Sequence, residues 1–407
     1  MPDTVTRPSI TEIRAQFPAL ASGFKFLENA GGSQVPQSVI SAVTQYFTNK
    51  YVQTGATYPA SVQATESLEQ AREVARTLFN GESNGQVIFG GSSSALCRML
   101  ADAYAEVLQP GDEVIVAQLG HEANIGPWVR LEKQGIKVRM WKVDAESQSC
   151  RLADLEALIT DRSRILALTH VSNLLGDVVD IKTLTDVAHH NGIRVVVDGV
   201  AFAPHRALDV QDWGCDWYVF SAYKVYGPHL GVLYGSPAAA QEITGPNHFF
   251  IPNGTPYKFE LGCLSHELCA GLLGLGEYLA FLGGANQFDR SAVVAAFDHM
   301  AELERPLQER LLQYLAGKEG VKVVGSANSG PNKVPTISFI HNSVPAPEIV
   351  ARVDQSGIGI RHGHMYAYRL AKALGIDVGT GVVRISLVHY NTLAEVEALI
   401  AVLDRIL

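Results

Sequence analysis

A lone lysine follows an apolar run in "CDWYVFSAYKVYGPHLGVLYG", residues 215–235. Trp217, Tyr218, Val219 and Phe220 read as a buried strand, Ser221 breaks it, and Lys224 stands three residues later, before a glycine-proline turn. Lysine is rarely buried unless paired. Desolvation lowers its pKa, so an amine at the end of a buried strand is a candidate nucleophile for a Schiff base with an aldehyde. Other strand ends carry chemistry too. "FGGSSSALC" sets Gly90, Gly91, Ser92, Ser93 and Ser94 at a strand-to-helix junction, where backbone N–H groups, the helix dipole and hydroxyls suit a phosphate. The same residues also read as a helix cap after two turn glycines. "IRVVVDGVAFAPH" ends its strand on Asp198, which either caps the next loop or holds a protonated ring nitrogen. His121 in "LGHEANIGPW" is a candidate stacking ring or a capping histidine, and Asn173 in "THVSNLLG" is placed similarly. Together, a phosphate site, a carboxylate, a stacking ring and a lysine fit pyridoxal 5′-phosphate. The turn is not GxGxxG and no acidic residue closes the next strand, which disfavours a nicotinamide cofactor.

The elements that must position these groups alternate from about residue 86 onward. "QVIFGG", "DEVIVAQLG", "RILALTHVS", "IRVVVDGV", "DWYVF" and "GVLYGS" are short apolar runs, with helical patterns such as "IKTLTDVAHHNG" between them. Continuous apolar strands separated by amphipathic helices predict an α/β domain with a mainly parallel sheet, with ligands beyond the carboxyl ends of its strands. After "GLGEYLAFLGG" the pattern changes to a long helix over about 288–316 and strands near 321–325 and 335–341. A helix in "APEIVARVDQSG", a loop "IRHGHMYAYRL", a strand "GVVRISLVHY" and a helix capped by "NT" complete a smaller α+β domain. The expected division is an N-terminal segment, 1–25, packing with the small domain, a large domain, 26–285, and the small domain, 286–407.

At 407 residues, with 47% hydrophobic and 18% charged residues, the composition is that of an ordinary globular protein with room for two domains. The net charge of −9 and the lack of a Lys/Arg run disfavour a nucleic-acid partner. "MPDTVTRPSITEIRAQFPAL" scatters Asp3, Arg7, Glu12 and Arg14 where an export signal would be apolar; Ser9 and Glu12 have capping-box spacing, predicting a short helix that Pro18 ends. The longest apolar run, 268–284, contains Glu277 and several glycines, so it is expected to be a buried helix and no membrane partner is expected. Five cysteines without zinc spacing suit reduced thiols and the cytoplasm, and none follows Cys269.

With these residues in place the chain resembles the class V aminotransferases, fold-type I pyridoxal-phosphate enzymes, and within them the branch of the group II cysteine desulfurases. The resemblance runs from "FLENAGGSQVP" to "VVRISLVHYNTLAEVEALI" and includes "SAYKVYGPHLGVLYG" and "RHGHMYA" in the family's order. It implies a large domain with a seven-stranded type of sheet, Lys224 as the Schiff-base lysine, Asp198 against the pyridine nitrogen and His121 stacked on the cofactor. It places Gly91, Ser92, Ser93, Ser221, Tyr223 and Cys263 around the phosphate, and Val200 and Asn173 by the ring. Asn29, Ala30, Asn173, Arg361 and Arg384 would meet a small amino-acid substrate, with Arg384 clamping its carboxylate. It also implies a homodimer with a shared active site, "KFELGCLSHE" (258–267) reaching into the neighbour.

The departures are informative. Tyr223 stands where the desulfurases carry a histidine before the lysine, Ala201 where they usually carry a glutamine, and Cys263 where a threonine from the partner meets the phosphate. Tyr366 stands in place of the persulfide-forming cysteine. The expectation is therefore a desulfurase-like lyase that expels a β-substituent without forming a persulfide. A class V aminotransferase, an amino-acid racemase or epimerase, and a non-catalytic binding protein are the alternatives. His362 and His364 flank Tyr366 as acid-base candidates or residues of a solvated loop, and no metal site is expected.

Overall fold

The computed structural model describes residues 7–253 and 255–407, so Asp3 of the N-terminal reading lies outside the described residues. The chain is α/β, and its largest sheet has seven strands. It divides into two compact units, Met1–Ala21 with Ser33–Val107 and Arg206–His299, and Ser22–Gly32 with Leu108–His205 and Met300–Leu407.

In the first unit the expected N-terminal helix is present as Ile10–Ala15, with the Ser9 and Glu12 capping box closed. Three strands of the large sheet belong here: Gln86–Gly90 and Trp217–Ser221 both pair antiparallel with Gly231–Gly235. All five residues of Trp217–Ser221 are buried, and the Trp217 indole donates to the Tyr104 hydroxyl at 2.9 Å, giving the one polar group of that aromatic a partner. The apolar run read as a buried helix is His266–Leu282. It lies so close to the helix Gln37–Asn49 that a Cβ on Gly274 would collide with the Ser38 backbone, and the Ser38 hydroxyl donates to the Gly274 carbonyl at 2.7 Å.

The second unit holds four parallel strands, Glu113–Ala117, Lys137–Trp141, Ser163–Thr169 and Arg194–Asp198. The helix Ile181–His190, capped by Asp180, separates the last two. A second sheet is antiparallel, with Val382–Ser386 and Thr336–His341 at its centre and Arg361–Gly363 and Val321–Val324 at its edges. Leu311, Leu315, Ile337, Phe339, Ile349, Ile385 and Leu399 form the apolar core around this sheet. The closing helix, Leu393–Leu403, starts with a Thr392 and Glu395 capping box. The segment read as a loop is partly regular: Arg361–Gly363 joins the sheet edge, with Arg361 directly opposite Arg384, and Tyr368–Ala373 is helical. Among the described residues, no helix is long and apolar enough to cross a membrane.

Candidate active site

In the first unit the serine turn is built by a strand running into a helix. Gln86–Gly90 ends, Ser92 caps the helix Ser93–Ala105 by accepting from the Ala95 N–H at 3.1 Å, and the N–H groups of that first turn face outward at the positive end of the dipole. The helix cap is therefore present, on the same turn that the sequence offered for a phosphate. A Cβ on Gly91 would meet nothing within 4 Å, and one on Gly231 would collide with the backbone of Ser92 and Ser93, so the two glycines leave room on one side and allow close packing on the other. Ser221, buried at the end of its strand, reaches Ser93, hydroxyl to hydroxyl, at 2.8 Å.

Lys224 ends a single 3-10 turn, Ala222–Lys224, that follows this strand directly. The turn is stapled from a distant part of the sequence: Ser33 donates through its N–H and its hydroxyl to the Tyr223 carbonyl, at 3.1 and 3.2 Å, and accepts from the Tyr226 N–H at 2.9 Å. Tyr226 is left-handed, φ +60°, which turns the chain into the Gly227–Pro228 bend. The Tyr223 ring stacks on His229 at 4.9 Å, and the Lys224 amine, half-buried, lies 5.8 Å from the Tyr223 ring centre. Cys263 is exposed, its sulfur 3.6 Å from Gln53 Oε1 and 4.0 Å from His266 Nε2.

The second unit gathers the remaining candidates. Asp198 ends the strand Arg194–Asp198, is buried, and accepts the Val200 N–H at 3.0 Å. His121 caps a 3-10 turn, its Nδ1 accepting the Ala123 N–H at 3.0 Å, which leaves the proton of a neutral ring on Nε2. Its imidazole stacks on Tyr366 at 5.2 Å and 30°. Asn173 donates to the Met365 carbonyl at 2.6 Å, while its Oδ1 is buried without a hydrogen bond. Asn29 spends its side chain internally, on Phe26, Ser386, Asn391 and the Tyr390 hydroxyl, and the Ala30 N–H donates to Ser386 Oγ at 2.8 Å. Met365 and Tyr366 are consecutive left-handed residues, φ +51° and +59°, a strain of about 1–3 kcal/mol each that neighbouring bonds must offset.

Arg384 is buried on the strand Val382–Ser386, donating to the Asn173 carbonyl at 3.0 Å. Burial pushes its guanidinium down to about 10; Glu28 opposes that shift and Arg361 adds to it. Glu28 is a residue that the sequence reading passed over. Its Oε1 lies 3.3 Å from Arg384 Nη2 and 3.5 Å from Arg361 Nη1, so one carboxylate oxygen meets both cations. Its place directly before Asn29 and Ala30, the expected substrate segment, was the available signal. His170 was missed as well: it is buried, stacked on Phe202 at 3.6 Å and 7°, and burial pushes it down to about 3.

The first unit thus carries a strand-end amine and a serine-capped helix start, and the second a buried strand-end carboxylate and a buried arginine. The profile of the class V aminotransferases matches residues 25–399, and the chain belongs to that family. It is 39% identical to an aminotransferase-like protein, FGM3, of Gibberella zeae, over 98% of both chains. It is 32% identical to a cysteine desulfurase of Salmonella gallinarum, again over 98% of each. The solved structure of the cysteine desulfurase CsdA from Escherichia coli superposes with a TM-score of 0.84, at 29% identity and over 98% of both chains. The fold is thus the fold-type I architecture that the sequence led us to expect, and the cofactor is pyridoxal 5′-phosphate. The residues present fit that group: the open side at Gly91 and the N–H groups of the capped turn suit its phosphate, and the unpaired Asn173 Oδ1 is a buried polar atom that a ligand can satisfy.

Proposed function

We propose that the chain is a lyase that expels a β-substituent from a small amino acid, and that it forms no persulfide. The observation that carries this reading is Tyr366, with no cysteine anywhere from residue 270 to 407. A desulfurase needs a thiolate to accept sulfur. Among the remaining thiols, Cys97 is buried, and burial pushes Cys215 and Cys269 up and Cys150 up to about 12, so these last three present no thiolate near neutral pH. Cys263 is exposed, and we read it as standing beside the phosphate rather than as a sulfur acceptor.

In this reading Ser92, Ser93, Ser221, Tyr223 and the backbone at Gly91 hold the phosphate, with Cys263 beside it. His121 stacks on the ring, Val200 and Asn173 border it, and Asp198 holds a proton on the pyridine nitrogen. When bound, the cofactor supplies an aldehyde that condenses with amines and a ring that accepts the electrons of a bond broken at Cα. Arg384, with Arg361, takes the substrate carboxylate, and the Asn29–Ala30 segment lies alongside. The Lys224 amine removes the Cα proton. The electrons of that C–H bond form a Cα–Cβ double bond, the Cβ–X bond breaks, and X departs as an anion that takes up a proton. Water then converts the released enamine to pyruvate and ammonia.

The test is incubation with L-cysteine, L-cystine and other β-substituted alanines. Pyruvate is expected with no added amino acceptor, and Lys224→Ala abolishes it. A keto acid that forms only when an amino acceptor is supplied would overturn the lyase reading in favour of an aminotransferase, which the similarity to the fungal aminotransferase-like protein favours. The functional division into 1–25, 26–285 and 286–407, a homodimer sharing its active sites, a cytoplasmic setting and the absence of nucleic-acid and membrane partners belong to the same proposal.

A further inference from the structure

We propose that Tyr366 is a positioning residue for His121, its ring fixing the plane of the imidazole from one face. The segment around Tyr366 is built to deliver that ring. The Glu122 N–H, next in the chain after His121, donates to the Tyr366 carbonyl at 2.9 Å, so the two segments are locked in register beside the rings they carry. Asn173 holds the preceding carbonyl of Met365, and the Tyr366 N–H donates to His364 Nδ1 at 3.2 Å. These three bonds hold the two left-handed residues, Met365 and Tyr366, that aim the side chain. A second tether lies one turn further on, where Arg369 forms a bidentate pair with Glu122, 2.9 and 3.1 Å.

The resulting contact has the geometry of offset stacking, 5.2 Å between centroids and 30° between planes. The His364 ring makes an edge contact with Tyr366 at 6.3 Å and 86°. His121 is thereby held twice, on its Nδ1 edge by the Ala123 N–H and on one face by Tyr366. Tyr366 itself remains 63% exposed. A large aromatic kept so exposed on a strained backbone, with its ring on a histidine, is doing something other than filling a core. The proposal deepens the reading of His121 as the ring over the cofactor and rests on that reading only for its consequence in the holoenzyme.

The experiment is NMR of the full-length chain carrying 13C-labelled histidine, with the His121 signal identified by its loss in His121→Gln. The face of the Tyr366 ring shields the His121 carbon-bound protons. Tyr366→Phe is expected to keep that shift, whereas Tyr366→Leu and Tyr366→Asn abolish it. Asparagine tolerates left-handed backbone, so at least one ring-less variant keeps the native turn. In the holoenzyme the visible circular dichroism of the bound cofactor follows the same order, unchanged in Phe and altered in Leu and Asn. A His121 signal unmoved in both ring-less variants would overturn the proposal, as would a Phe variant displaced as far as the Asn variant. The NMR result is independent of the lyase reading: should the chain bind no cofactor, the shift still decides whether the Tyr366 ring lies on His121, and a circular dichroism altered in Leu and Asn but not in Phe decides whether it positions that imidazole.

Discussion

Two buried arginines, one in each unit, show how differently the same side chain is treated when it braces the fold, as Arg72 does, and when it is free to clamp a ligand, the role proposed for Arg384. Arg72 in the first unit faces Glu260 as a fork on a fork, Nη1 to Oε1 and Nη2 to Oε2, both at 2.7 Å, and its Nη1 also donates to the Val87 carbonyl. Burial alone would lower its pKa, but the bonds and charge of Glu260 carry it above the ordinary value. Arg384 in the second unit is as deeply buried, yet among the described residues its carboxylate contact is a single long bond to Glu28, whose oxygen it shares with Arg361, and its pKa falls to about 10. The Nε of each lacks a hydrogen bond, so that atom does not separate them. The carboxylate geometry does. A brace is satisfied within the fold, whereas a clamp keeps bidentate capacity in reserve for a ligand.

The sharpest way to break the comparison is to remove each partner. Glu260→Ala leaves the Arg72 charge buried and unpaired, and urea denaturation is expected to show a loss of about 3–5 kcal/mol. A loss below about 1 kcal/mol would mean that Arg72 is no brace, because removing one partner of a buried pair is ordinarily far more costly. Next in size is Arg384→Lys. Lysine keeps the charge but cannot present a fork, so kcat/KM should fall about 100-fold on any amino acid that is turned over, while the denaturation midpoint stays close to wild type. Equal damage to stability in both variants would erase the distinction.

Much of this architecture was legible because it is local. The capping boxes at Ser9 and Thr392 join residues three apart, and the buried helix His266–Leu282 and the buried strand Trp217–Ser221 announce themselves by largely apolar runs. Lys224, Asp198 and the serine turn stood out because each follows such a run. The contacts that qualify them were not legible. Ser33 staples the lysine turn from 190 positions away, and Glu28 meets Arg384 across 356. The strand Arg361–Gly363 has no period of its own, being short and mostly exposed, and exists because Val382–Ser386 pairs with it. The left-handed backbone at Met365 and Tyr366 carries no glycine to mark it.

His170 extends the comparison to a buried ionisable group kept neutral. Burial pushes it down to about 3, below the roughly 6.5 of an unfolded chain, so between those values the unfolded state binds the extra proton. Stability should therefore fall as pH drops below about 6.5, by up to about 1.4 kcal/mol per pH unit from this residue alone. His170→Asn starts less stable, having lost the stack on Phe202, but its acid limb should be flatter. Denaturation midpoints of both proteins between pH 7.5 and pH 5 measure the difference, and parallel curves would show that His170 titrates like a solvated histidine.

The smallest effect probes the clamp itself. Glu28 touches Arg384 and Arg361 through one oxygen, so an incoming carboxylate competes with it for the same cations. Glu28→Gln keeps the shape and removes the charge. Its salt bridge to Arg361 is partly exposed and therefore screened, so the expected gain is modest, a KM about 3–10-fold lower with kcat unchanged, shrinking further at high salt. Glu28 opposes the burial that pushes the Arg384 guanidinium down to about 10, so the variant also removes that support. Gly31→Ala reaches the same end by another route: a methyl group at that position would collide with the Glu28 carboxylate and displace it from the arginines. Two variants that lower KM together identify Glu28 as a competitor for the guanidinium. A KM that rises in both would make it a brace for Arg384 instead, and would place the two buried arginines on the same footing.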